Sequence, residues 1–95
     1  MKKLNEEEIK KRLEDMEYWD YVDEVLYTSL DFKNFTDAFA MMTRIAFEAE
    51  KMDHHPEWTN VYNNLSISLS THSAKGVTEK DFKLAESIEK IIKGD

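Results

Sequence analysis

The single proline of this chain separates two stretches whose apolar residues repeat with different periods. Before Pro56, the spacing of apolar side chains predicts a long amphipathic helix from residue 35 to residue 52, capped by Asn34 or Thr36. After it, "NNLSISLSTH" alternates apolar and polar residues, which predicts a strand with one buried face. Because proline lacks a backbone N–H and keeps the preceding residue out of the helical region, the helix must end before His55. The chain therefore combines helices with strands.

The other elements follow from shorter patterns. A thin amphipathic helix is expected over residues 5–17, and a hairpin is expected with strands at 18–22 and 25–33. Residues 58–62 form either a short partner for the alternating strand, turning at Asn63-Asn64, or the first half of one bent strand; the hairpin is favoured. A last helix begins at the cap Thr78. The apolar stripe of the long helix is expected to comprise Phe35, Phe39, Met42, Ala46, Ala49 and Met52.

This succession predicts an α+β fold of two layers in the order α-β-β-α-β-β-α. An antiparallel sheet of about four strands carries the helices on one face. No stretch of residues 1–95 has the composition of a linker, a repeat or a low-complexity tract, so a single domain is expected. A chain of 95 residues has a small core, and self-association would help to stabilise it.

Charge and composition exclude several classes of function. The formal net charge of -7 argues against binding nucleic acid through its phosphates and against docking on an anionic membrane. With no cysteine, disulfides and thiolate metal sites are excluded, which suits a reducing compartment. The N-terminal segment lacks the apolar stretch of a secretory signal, and no apolar run is long enough to span a membrane. A soluble, cytoplasmic protein is expected.

All three histidines occupy places where functional side chains concentrate. His54 and His55 lie at the exit of the long helix, and His72 ends the alternating strand, so a strand running back under the helix would bring His72 to the pair. Taken alone, a histidine pair beside a proline is more often a helix terminator than a site. A mononuclear zinc site is less favoured still, because adjacent histidines rarely bind one ion and no thiolate is available.

Spacing along the second half of the chain changes this interpretation. The pattern begins with the acidic residue Glu50, followed after three residues by His54-His55-Pro56. The aromatic residue Tyr62 follows after five more residues, the third histidine, His72, after nine, and Asp81 after eight. This arrangement resembles the signature of the pterin-4a-carbinolamine dehydratase family. The likeness extends from about residue 18 through "TEKDFKLAESIEKI". Seven typed positions at fixed spacing are a far more specific signal than a lone His-His pair.

The resemblance implies an enzyme that removes water from a 4a-hydroxytetrahydropterin and yields a quinonoid dihydropterin in tetrahydropterin recycling. The departing hydroxyl needs a proton, and a ring nitrogen must lose one. Histidine, whose ordinary pKa is about 6.5, is suited to both transfers near neutral pH. Neither a metal nor a redox cofactor is required. Carried over residue by residue, His54 and His72 would be the acid/base pair, and His55 would hold and polarise the pterin.

The remaining signature positions imply supporting roles. Glu50 lies four residues before His54 and could fix the tautomer of that ring, while Asp81 could orient another imidazole. Pro56 and Trp58 would shape the wall of the pterin site, although Trp58 is by default a core or interface residue.

Members of the resembled family have a second association, with the dimerisation of a homeodomain transcription factor. A non-catalytic protein-interaction module is therefore the alternative function, and a helper in assembly or other pterin-linked metabolism is a third. The intact set of histidines and carboxylates favours the enzyme. The family usually forms tetramers built from dimers, so the resemblance also implies a homo-oligomer, and the serine face of the alternating strand would be solvated or buried between subunits.

Overall fold

A computed structural model describes residues 1–94 of the protein. Three α-helices and four strands follow one another in the predicted order. Their bounds are α1 Glu6–Leu13, β1 Asp20–Val22, β2 Val25–Asp31, α2 Phe35–Met52, β3 Glu57–Val61, β4 Asn64–Leu69 and α3 Glu79–Lys93, with a 3₁₀ turn at His72–Ala74. The predicted α+β fold is confirmed.

The strands form one antiparallel sheet in the order β1-β2-β4-β3. The favoured hairpin of β3 and β4 is present, but its turn lies one residue earlier than predicted, at Tyr62-Asn63. Asn64 already belongs to β4, where it pairs with Val61 on one side and Asp31 on the other. Tyr62 takes a left-handed φ of 49° to make the turn.

Side-chain caps start each helix. The Asn5 side chain accepts from the N–H of Glu8 at the start of α1, and Asn34, rather than Thr36, caps α2 by accepting from Asp37. Thr78 begins α3 in a reciprocal capping box with Asp81. Helix α1 ends at Leu13 instead of near residue 17, because the following N–H groups bond three residues back rather than four.

One core cluster joins the sheet to all three helices. The alternating residues of β2 and β4 meet buried side chains from α2 and α3, and Ile9 of the thin helix α1 is also fully buried. The sheet contributes Leu26, Leu30, Leu65, Ile67 and Leu69; the helices contribute Ile9, Ile45, Ala49, Phe82, Leu84, Ala85, Ile88 and Ile91. The packing of the helices on one face of the sheet stays a prediction, which this shared cluster supports.

Helix α2 has a second apolar face that does not belong to the core. The buried residues of α2 are Ala38, Ile45 and Ala49. Phe35 and Phe39, assigned to the apolar stripe by their spacing, are 47% and 55% exposed. Spacing alone could not separate the two faces, because apolar residues occur around much of this helix.

A carboxylate of α3 fixes the chain between α1 and β1. Glu89 is buried and accepts from the N–H groups of Glu17 and Tyr18 at 3.0 and 3.1 Å. These bonds take the Tyr18 N–H away from the sheet, so β1 begins at Asp20 rather than at residue 18. Desolvation lowers the pKa of Lys93, but the nearby carboxylates of Glu89 and Glu17 outweigh it, and the net shift is upward.

Within residues 1–94, none of the helices is both long and apolar enough to cross a lipid bilayer.

Candidate active site

The two histidines that follow α2 point in different directions. Asp53 adopts a left-handed conformation, with φ 51°, and its N–H bonds to carbonyls of the last helical turn. The N–H of His54 returns to the carbonyl of Ala49, and Pro56 then prevents further helix. The His54 side chain is only 10% exposed, whereas that of His55 is 56% exposed. One imidazole therefore turns into the protein and the other toward solvent.

His54 is bonded to a buried carboxylate. Its Nε2 lies 2.6 Å from Oδ1 of Asp81, a residue of α3 that is fully buried. The other carboxylate oxygen, Oδ2, accepts from the N–H of Thr78 at 2.8 Å as part of the capping box. A carboxylate only accepts, so with Asp81 in that form Nε2 of His54 is the donor of this bond. Nδ1 is the ring nitrogen left to act on a ligand.

Glu50 bonds to His55, not to His54 as its spacing predicted. Oε2 of Glu50 lies 2.6 Å from Nε2 of His55, and both side chains are exposed. The i,i+4 relation holds only while the helix continues, and the left-handed residue Asp53 turns the His54 ring away from Glu50. Asp81 thus orients the buried imidazole, while Glu50 reaches the exposed one.

His72 is exposed and begins the 3₁₀ turn after β4. It lines a cavity of about 370 Å³ together with both other histidines; we call this the histidine cavity. Its lining is Asp53, His54, His55, Ser70, Thr71, His72, Ser73 and Lys80. A second cavity of about 280 Å³, here the sheet cavity, is lined by His55, Pro56, Glu57, Ser68, Ser70 and His72. The volumes are of the order used to bind small ligands.

The two predicted wall residues differ in position. Pro56 lines the sheet cavity, but Trp58 is half-buried and packs against the core. Successive side chains of a strand point to opposite faces, so Trp58 lies opposite buried Ile67 while Glu57 lies opposite Ser68. Contact between Trp58 and a substrate stays a prediction, and the linings of these two cavities do not include it.

Sequence reasoning missed several residues of the two cavities. Ser70, Thr71 and Lys80 line the histidine cavity, and Ser68 of the serine-rich face lines the sheet cavity rather than only meeting water. The signal for the two serines was the alternation of β4, whose polar phase continues through Ser70. Thr71 and Lys80 had no such local signal. Over residues 1–94, no three His, Asp or Glu side chains group as ligands for a metal ion.

Tyr62, the aromatic position of the signature, lies outside both cavities. It sits in the β3–β4 turn and is 64% exposed. The structure therefore brings together the histidines and the two carboxylates of the signature, and leaves its aromatic residue apart.

Comparisons with known proteins point to one family. The model of the family described as pterin 4 alpha carbinolamine dehydratase matches residues 2–91. A relative from Christiangramia forsetii, provisionally named a pterin-4-alpha-carbinolamine dehydratase, is 59% identical over 92 residues, which cover 97% of this chain and 95% of the relative. A relative from Burkholderia pseudomallei with the same provisional name is 47% identical over 93 residues, covering 96% and 92%.

A solved structure is similar in fold as well. The crystal structure of a transcriptional coactivator/pterin dehydratase from Brucella melitensis superposes with a TM-score of 0.90 at 44% identity, covering 94% of this chain and 97% of that one. The protein accordingly belongs to the pterin-4a-carbinolamine dehydratase family.

Proposed function

We propose that this protein removes water from a 4a-hydroxytetrahydropterin, giving the quinonoid dihydropterin, by general acid/base catalysis in tetrahydropterin recycling. The observation that carries the proposal is the meeting of three imidazoles at one cavity, one of them held by a buried carboxylate. Family membership supplies the substrate class.

The reaction needs two proton transfers. A proton reaches the 4a-hydroxyl, the C4a–O bond breaks and water leaves; N5 loses its proton as the C4a=N5 bond forms. One group that donates and one that accepts therefore suffice, and no oxidant is consumed. A positioned imidazole typically contributes about 10²- to 10⁴-fold to each such step.

We assign the two transfers to His54 and His72. Asp81 holds the proton of His54 on Nε2, so Nδ1 is the atom that exchanges a proton with the pterin. His72 lies on the same cavity and is exposed, so it can exchange its proton with water between turnovers. His55 lines both cavities and would hold and polarise the pterin, with Pro56 shaping the wall of the sheet cavity.

A spectrophotometric dehydration assay tests the proposal. The wild-type protein is expected to accelerate dehydration above the spontaneous rate, and His54→Ala, His55→Ala and His72→Ala are each expected to slow it while the far-UV circular dichroism is kept. Lys33→Ala, an exposed change in the loop before α2, is the control and should retain the wild-type rate. Equal rates in all four variants would refute the assignment of the histidines.

A homo-oligomer, a dimer or a tetramer, is part of the same proposal. Phe35, Phe39 and Phe47 leave about half or more of their surface exposed on α2. Val61 at the end of the edge strand β3 and Tyr62 in the turn after it are exposed as well. Exposed apolar side chains and an open strand edge are common features of subunit interfaces. Light scattering after size exclusion is expected to show more than one copy, and a strict monomer would contradict this. A cytoplasmic location suits the cysteine-free composition.

A second function, a protein-interaction module, is favoured by one comparison. The Brucella melitensis protein is described as a transcriptional coactivator as well as a pterin dehydratase. An interaction module needs no working histidines, so the assay separates the two. A wild-type protein that does not accelerate dehydration, yet binds a protein partner, would favour the module.

A further inference from the structure

A chain of buried polar groups lies behind Asp81. Oγ1 of Thr71 is 2.9 Å from Oδ2 of Asp81 and 2.7 Å from Oγ1 of Thr78. Oγ1 of Thr78 also accepts from the N–H of Lys80 at 3.3 Å. Thr71, Thr78 and Asp81 are all buried, at 6%, 0% and 0% exposure. Of these three residues, only Asp81 belongs to the histidine signature of the family.

With Asp81 as a carboxylate, the direction of every bond in this series of groups follows. Each hydroxyl carries one proton, and ionised Asp81 can only accept, so the hydroxyl of Thr71 donates to Oδ2. The contact between the two hydroxyls then requires Thr78 to donate to Thr71. With the N–H of Thr78 on Oδ2 and Nε2 of His54 on Oδ1, Asp81 accepts three hydrogen bonds. All the donors point toward the carboxylate.

Thr71 also stands next to the other half of the site. It precedes His72, and its backbone is paired with Gly76 through N–H to O distances of 2.9 and 3.4 Å. The hydroxyl of Thr71 thus connects the start of the His72 turn to the carboxylate that holds His54. The capping of α3 by Thr78 and Asp81 does not itself need Thr71, since those two residues bond to each other's backbone.

We propose that Thr71 is a positioning residue, whose hydroxyl fixes the Asp81 carboxylate so that His54 keeps its proton on Nε2 and presents Nδ1 to the cavity. This inference rests on the proposed function for its catalytic consequence, but the tautomer of His54 is independent of any substrate. Loss of the Thr71 hydroxyl lets the carboxylate rotate and weakens its hold on Nε2.

The test replaces Thr71 by residues of nearly the same size. Thr71→Val removes the hydroxyl and keeps the shape, and Thr71→Ser keeps the hydroxyl. Thr28→Val is the matched control, because Thr28 is another buried threonine, 4% exposed, in the strand β2 that pairs with β4. The readouts are the tautomer of His54 from its imidazole ¹⁵N signals, and kcat and KM for dehydration.

In Thr71→Val, the Nδ1–H tautomer of His54 is expected to appear. The value of kcat is expected to fall about 10- to 100-fold with little change in KM, the rate equivalent of one hydrogen bond to a charged group. Thr71→Ser should restore both, and Thr28→Val should change neither. If Thr71→Val does not fold, Thr71→Ala provides the same comparison without branching at Cβ.

Two outcomes separate this inference from the proposed function. A Thr71→Val protein with the wild-type tautomer and kcat overturns the inference while dehydration by the wild type stands. A wild type that does not dehydrate the pterin overturns the proposed function, and the tautomer comparison still decides whether Thr71 positions Asp81 and His54.

Discussion

Replacing Asp81 by asparagine is expected to reverse the position of the proton on His54. Oδ2 accepts from both Thr71 and the N–H of Thr78, so the single amide oxygen should occupy that side. The amide NH₂ then faces Nε2 of His54 where Oδ1 stood at 2.6 Å. Because NH₂ is a donor, Nε2 must accept and the ring proton must move to Nδ1. The nitrogen assigned to the pterin would then be blocked as an acceptor.

The magnitude follows from the bonds affected. Asp81→Asn exchanges a charge-assisted bond for a neutral one, which costs about 1–1.5 kcal/mol of unfolding free energy, the difference between the two kinds of bond. A domain stable by about 5–15 kcal/mol remains folded after such a loss. Asp81→Ala leaves three donors without an acceptor, at about 1–3 kcal/mol for each, and should cost at least about 3 kcal/mol. The rate of Asp81→Asn should fall by the contribution of one acid/base group, about 10²- to 10⁴-fold.

Three measurements on Asp81→Asn check this reasoning: urea unfolding, the dehydration rate and the imidazole ¹⁵N signals of His54. The expected combination is a folded protein, a slow reaction and an Nδ1–H tautomer. A variant that keeps both the wild-type rate and the Nε2–H tautomer would refute the role given to Asp81.

Two further predictions concern the carboxylate that fixes the chain before β1. Glu89→Gln removes the charge that accepts from the N–H groups of Glu17 and Tyr18. Urea unfolding should therefore show a loss of about 1–3 kcal/mol of unfolding free energy, while the dehydration rate is unchanged. The exposed control Glu86→Gln should stay within about 0.5 kcal/mol of the wild type. The folded-state pKa of Lys93 is raised above its ordinary 10.5, so its contribution is fully present below that pH and is lost as pH rises through the folded value. The stability difference between the wild type and Lys93→Met, followed by urea unfolding, should therefore be constant up to about pH 9.5 and shrink above pH 10.5; a difference that grows with pH would contradict this sign.

The elements with a clear period could be predicted because their pattern is local. The end of α2 before Pro56, the alternation of β4 and the caps Asn5 and Thr78 depend on residues within one turn or one strand, so no tertiary information was needed. The ends of some elements were predicted wrongly because they depend on contacts that are distant along the chain. The start of β1 depends on Glu89, which lies 71 residues from Tyr18 along the chain.

The candidate site was predictable in its histidines but not in their partners. His54 finds Asp81 across 27 residues, and a single left-handed residue, Asp53, decides that Glu50 meets His55 instead. Neither fact has a local signal. Thr71 was invisible for the same reason, because its hydroxyl acquires a role only when the segment after β4 meets Asp81 of α3.

The second apolar face of α2 marks another limit of periodicity. Phe35 and Phe39 fit a core stripe by spacing, yet the core is filled by the smaller Ala38 and Ala49 with Ile45. Choosing between two apolar faces requires knowledge of which one the sheet covers.

The central claim is that His54 and His72 act as a pair in the dehydration of a 4a-hydroxytetrahydropterin. The most direct test is the dehydration rate of the wild type and of the His54→Ala/His72→Ala double variant, measured against the spontaneous reaction at neutral pH. We predict that the folded double variant loses at least about 10²-fold of the wild-type acceleration. A folded double variant that is as fast as the wild type would contradict the account.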